Sequence, residues 1–334
     1  MPDGQLNRAH EELRRPRCVA LRPHAVAACA TAAVMASLTA CSSPRTLDDV
    51  QTSLTHSSAP AAEVAGPPSA SLGAALERSL APVLMDGDTR LAVAVLDLNS
   101  ADREIASYQG DVLFTTASIS KVDTLAALLL QAQDEGRELT NEERQAAEAM
   151  ITTSDNDAAD LLWRAIGEGE GLDAANERLG LSSTHGGPGV HWGLTQTTAK
   201  DQIRLLQSVF PHGMADPART REGLNPESQA YIRELMGDIV EGQDWGVSAA
   251  SSRWWLKNGW LQRTATGLWV INSIGQVRLP GHRYLLSVLS SGNTSKQGGI
   301  SLVERAVKAA IDAASAHARH TPAAADATRP VGLR

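Results

Sequence analysis

The chain has 334 residues, of which 43% are hydrophobic and 20% charged, with a formal net charge of −8. That composition describes a folded chain of one substantial unit or two interleaved lobes, and its acidic balance, with no basic patch, excludes a nucleic-acid binder. Cys18, Cys29 and Cys41 are the three cysteines and all precede residue 42, so the rest of the chain has no internal disulfide, thiol nucleophile or thiolate metal site.

The first forty-one residues read as a targeting segment. Arg14, Arg15, Arg17 and Arg22 precede an apolar run from Ala25 to Leu38 that is too short to span a bilayer. The run ends in Leu38-Thr39-Ala40-Cys41-Ser42, which resembles a bacterial lipoprotein signal. That resemblance implies lipidation at Cys41 and an exported chain held at the cell membrane, and a plain secretory signal is the alternative. Residues 42–71 are rich in Ser, Ala, Pro and Thr and predict a flexible tether.

Residues 72–318 form the predicted folded unit. A helix is expected over Leu72–Leu84, then strands over Leu91–Leu98 and Arg103–Gln109. Residues 111–245 read as helical. Strands follow at Ser252–Gly259, Gly267–Ile274 and Tyr284–Leu289, then a helix over Ile300–Ala314 and a disordered tail over 319–334. Strands at both ends of the unit must meet. The helical stretch is therefore an insertion, leaving 72–110 and 246–318 as one lobe with a cleft at the seam.

Three short motifs carry chemistry. In Ser118-Ile119-Ser120-Lys121 the Ser and Lys are one helical turn apart, and Val122, Leu125, Ala126, Leu129 and Leu130 continue a buried helical stripe. Thr115 or Thr116 is placed to cap that helix, and Ser118 then sits in its first turn, where free N–H groups favour a developing anion. Apolar surroundings and the cation of Lys257 would favour a neutral, proton-accepting Lys121. Ser154-Asp155-Asn156 falls on a tight turn between helices, with a hydroxyl to relay a proton and an amide for a substrate carbonyl. Lys257-Asn258-Gly259 lies on a strand, where Gly259 permits close backbone approach by substrate. The N–H groups of Ser118 and Trp260 are candidates for an oxyanion hole. Taken singly the motifs read as a helix cap, an Asx turn and a solvated lysine. Taken in this order they describe a serine acyl-transfer site.

These motifs resemble the penicillin-recognising serine enzymes, most of all the class A β-lactamase group, over Leu72 to Ala314. The resemblance implies an α/β (α+β) fold with a five-stranded antiparallel sheet flanked by terminal helices and an all-helical insertion. It implies Ser118 as nucleophile, Lys121 as general base, Ser154 as proton relay, Asn156 as an amide contact and Lys257 as an attractor of substrate carboxylate. It implies a β-lactam or cell-wall peptide as substrate, no cofactor and no metal, and a monomer is expected. The sequence departs from the family at Ser183–Gly193, which lacks the glutamate that activates the deacylating water. His185 and His191 are the candidate substitutes, and Glu168 and Glu170 read as solvated. The family's usual Thr is Asn258, which weakens the clamp on a carboxylate. Acylation is expected and fast deacylation is not. A peptidoglycan DD-peptidase, an esterase and a non-catalytic cell-wall-binding lipoprotein are the alternatives. Of the tryptophans, Trp254, Trp255 and Trp269 read as sheet core, whereas Trp260 borders the cleft.

Overall fold

The computed structural model describes residues 71–83, 89–100, 103–211 and 223–320. Cys41, most of the predicted tether and the tail beyond His320 lie outside the described residues. Five strands form the main sheet: β1 (Arg90–Asp97), β2 (Ala106–Tyr108), β5 (Trp254–Gln262), β6 (Trp269–Leu279) and β7 (His282–Asn293). Their order is β2-β1-β7-β6-β5 and every pairing is antiparallel. The first and last strands in sequence, β1 and β7, thus lie side by side, and everything between β2 and β5 is inserted, as the sequence predicts.

Both faces of the sheet are covered. Strand β1 is buried at all but its first residue, which explains its run of Leu, Ala and Val in place of strict alternation. On one side pack α1 (Leu72–Leu80) and the long C-terminal helix α8 (Lys296–His320). On the other lies the helical region: α2 (Ser120–Asp134), α3 (Asn141–Glu148), α4 (Asn156–Ala165), α5 (Glu168–Leu179), α6 (Ala199–Val209) and α7 (Pro226–Gly237). Their starts are written locally. Thr140 and Glu143 form a capping box, Asp155 and Thr198 cap α4 and α6, and Asn225 caps α7 ahead of Pro226.

The structure corrects several boundaries. The predicted strand over Arg103–Gln109 shortens to Ala106–Tyr108, because Arg103 and Gln109 both take positive φ and end the extended run. Strand β7 extends to Asn293 by pairing with both β1 and β6. A two-stranded ribbon that periodicity does not signal, β3 (Phe114–Thr115) with β4 (Gln196–Thr197), ties the chain just before Ser118 to the chain just before α6.

Candidate active site

Ser118 is not in the first turn of α2. It occupies a short 3-10 turn, Ala117–Ile119, that precedes the helix, and Thr116 at its start makes no side-chain cap. Ser120 closes the turn instead, its hydroxyl donating to Ala117 O at 2.9 Å. Ala117 has φ +48°, a left-handed conformation costly for a residue with a Cβ. Strand β6 holds that turn. Asn272, fully buried, donates from its amide to Thr115 O (2.9 Å) and Thr116 O (2.8 Å) and accepts from Ser290 N–H at 3.1 Å. Gly259 is paired with Asn272 across the sheet. A Cβ on Gly259 would lie 2.8 Å from Ser118 N and from Thr116 O. The expectation that Gly259 admits substrate is therefore corrected: the backbone that approaches it is that of the nucleophile turn.

Lys121 is 1% exposed and turned toward the Ser154 turn. Its Nζ donates to Ser154 O (2.7 Å), Asn156 Oδ1 (2.9 Å) and Ser154 Oγ (3.2 Å). Burial lowers its pKa to about 7, against the opposing pull of Asp155 and Asp160. The charges acting on it most strongly are thus carboxylates, not Lys257. A π-helical turn, Ala149–Thr153, leads into Ser154, which closes it in a left-handed conformation at φ +58°; single π turns of this kind recur at functional sites. Asn156 opens α4 one residue beyond the Asp155 cap.

Lys257 is also 1% exposed, donates to Asn258 O at 3.2 Å, and has its pKa pushed well down by burial and then by the Lys121 charge. Lys257 is not among the residues that line the pocket. Asn258 is likewise committed elsewhere. Its amide donates to Gln243 O and Trp245 O, both at 2.8 Å, and pins that loop against β5. The substrate-binding assignment of Asn258 gives way to a structural one.

The pocket itself is lined by Ala117, Ser118, Ser154, Asn156, Trp192, Gly193, Trp260 and Leu261, and measures about 180 Å³. Among the predicted residues it unites Ser118, Ser154, Asn156 and Trp260, and Lys121 is hydrogen-bonded to two of them, Ser154 and Asn156. Trp260 is backed by Trp245 at 6.1 Å between centroids, and Lys296 Nζ stands 4.0 Å from its ring. His185 and His191 are exposed and outside the lining, and Glu168 and Glu170 are outside it too. The histidine substitution is therefore not supported. Sequence reasoning overlooked Trp192 and Asp160 in this site. The Trp192 indole lies 4.6 Å from Lys121 Nζ, and its Nε1–H donates to Asp160 Oδ1 at 2.7 Å. A Trp in a Gly-rich loop six residues before the Thr198 helix cap was the available signal.

A strained serine turn facing a buried lysine, under an antiparallel sheet with a helical insertion, defines the β-lactamase-like serine hydrolase fold. The chain belongs to the beta-lactamase enzyme family, whose model matches residues 142–314, just over half of its length, from beyond Lys121 to α8. Among solved structures it is similar to a class A beta-lactamase from Bacteroides cellulosilyticus (17% identity, TM-score 0.61, covering 73% of this chain and 99% of that one). It is also similar to TLA-1 extended-spectrum beta-lactamase (17%, 0.60, 73% and 98%) and to PBP-A (19%, 0.59, 73% and 96%). These establish the fold. In sequence it is 26% identical over 212 residues to LppW of Mycobacterium tuberculosis and Mycobacterium bovis, which bears a provisional lipoprotein name. That match covers 60% of this chain and 62% of the relative.

Proposed function

We propose that the chain is an exported, membrane-tethered serine hydrolase that is acylated at Ser118 by β-lactams or by related cell-wall amides. The observation that carries this reading is Lys121: buried, poised near neutrality, one turn from Ser118 and hydrogen-bonded to both Ser154 and Asn156. In its neutral form Lys121 takes the Ser118 Oγ proton as Oγ bonds to the substrate carbonyl carbon. The N–H groups of Ser118 and Trp260 receive the resulting oxyanion. As the C–N bond breaks, Ser154 passes its hydroxyl proton to the leaving nitrogen and is refilled from Lys121. The Asn156 amide, anchored through Oδ1 on Lys121, keeps its NH2 for the substrate. Lys257 supports this from behind, as a buried group biased toward neutrality next to Lys121.

We assign the tether to Cys41 on the apolar run that precedes it, and the lipoprotein name of LppW supports an anchored, exported chain. Among the described residues no helix is long and apolar enough to cross a membrane. Among the described residues no carboxylate lines the pocket, which favours slow release of the acyl group. The test is intact mass of the full chain after incubation with benzylpenicillin. A penicillin-sized adduct is expected on the wild type and not on Ser118→Ala. Equal adducts on both, or none on either at saturating drug, would overturn the reading.

A further inference from the structure

Lys121 is the general base of the proposed reaction, yet it is not part of the pocket wall. Its neighbours Ser154, Asn156 and the Trp192 indole all line the pocket, as does Ser118. Its Nζ is hydrogen-bonded to Ser154 O, Ser154 Oγ and Asn156 Oδ1, and the Trp192 ring lies 4.6 Å from it. The ring is fixed in place. Its Nε1–H donates to Asp160, which stands one turn beyond Asn156 on the same face of α4. Below it, Trp163 Nε1–H donates to Gly189 O at 2.7 Å and holds the same loop to α4. Residues 156 and 160 thus serve one lysine: the first accepts from it, and the second orients the ring above it.

Hydrolysis of an ester on Ser118 requires a water to add to the acyl carbon while its proton passes to a base. The C–Oγ bond then breaks and Oγ takes a proton back. With no carboxylate in the lining among the described residues, Lys121 is the base this reading offers, and a water can serve only where it reaches both Lys121 and the acyl carbon. The Trp192 ring, 4.6 Å from Lys121 Nζ and part of the pocket lining, borders that approach. We propose that Trp192, oriented by Asp160, is a positioning residue that shields Lys121 from water and so sets the lifetime of the acyl-enzyme. This rests on the acyl-transfer reading above and adds to it a physical cause for persistence.

Two measurements on the full chain test it. Trace labelling with acetic anhydride, mapped by peptide mass, reports how far Lys121 reacts relative to the exposed Lys308. The lifetime of the penicilloyl adduct is followed by intact mass after free drug is removed. Trp192→Ala is expected to raise Lys121 labelling severalfold and to shorten the adduct's life about tenfold. Trp192→Phe keeps most of the ring but loses the bond to Asp160, and should shift both readouts in the same direction by less; it stands in if Trp192→Ala fails to fold. Unchanged labelling in a folded variant, or raised labelling with an unchanged lifetime, would overturn the shield. Absence of a wild-type adduct would instead overturn the acyl-transfer reading. The labelling arm, which needs no acylation, tells the two failures apart.

Discussion

At the scale of the residue, the reaction turns on which form of Lys121 is present. Burial disfavours its ammonium, whereas Asp155 and Asp160 favour it, and the balance falls at about 7. Only the neutral amine accepts the Ser118 proton. The acylation rate is therefore expected to rise with pH, reach half its plateau near pH 7, and stay level above it. Asp160→Asn keeps a carbonyl oxygen to accept the Trp192 N–H but removes an anion that favours the charged lysine. Its midpoint should fall below that of the wild type in a pH series of adduct formation by quenched mass spectrometry. A midpoint unmoved by Asp160→Asn would mean that the carboxylate does not act on Lys121. The Ser-Lys spacing was legible in the sequence. The Asp160–Trp192 pair was not, because its members are 32 residues apart and meet only through the fold of the loop against α4.

At the scale of the element, the nucleophile turn is shaped by a strand that carries no catalytic group. Strand β6 brings Asn272 beneath Thr115 and Thr116, where one amide satisfies two carbonyls at the strained entry to Ser118. Asn272→Leu leaves both carbonyls without that partner and also abandons the Ser290 N–H. The expected cost is about 3 kcal/mol, or a fall of roughly 6–12 °C in thermal midpoint, with loss of acylation. Thermal melts beside the penicillin adduct assay check it; a stable variant acylated at the wild-type rate would contradict the role given to Asn272. An Asn-Ser pair in the middle of Val270-Ile271-Asn272-Ser273-Ile274 is visible in the sequence as a polar break in an apolar strand. What it bonds to is not visible, since its partners lie 156 and 157 positions away.

At the scale of the whole molecule, the buried carboxyl of Asp123 opposes folding at neutral pH. Asp123 lies on α2, two residues past Lys121, completely buried with neither carboxyl oxygen hydrogen-bonded. Burial, reinforced by Asp201 and Asp173, raises its pKa from 3.8 to about 8. The folded chain therefore keeps a proton that the unfolded chain releases near pH 4. Its contribution is harmless below that pH, and stability then declines by about 1.4 kcal/mol per unit as pH rises toward 8. Asp123→Asn should melt at a higher temperature than the wild type at pH 7.5 and at nearly the same temperature at pH 4. Parallel melting curves across that range would rule out Asp123 as the source.

The sequence by itself determined what depends on neighbours in the chain. Caps such as Thr140 and Asp155, the apolar stripe of α2 and the turn at Ser154 are local, and so are the motif spacings that identified the family. The insertion of the helical region also followed, because the strand patterns at both ends of the unit belong to one sheet and the helical stretch between them must leave it. The tertiary structure alone decided the orientation of each polar group at the site. It turned Asn258 onto the 243–245 loop, fitted Gly259 against the backbone of Ser118, buried Lys257 and placed an indole where a carboxylate was sought. Each of these depends on which distant atoms compete for a donor or a volume, and that competition is settled only when β5, β6, α4 and the 183–195 loop come together.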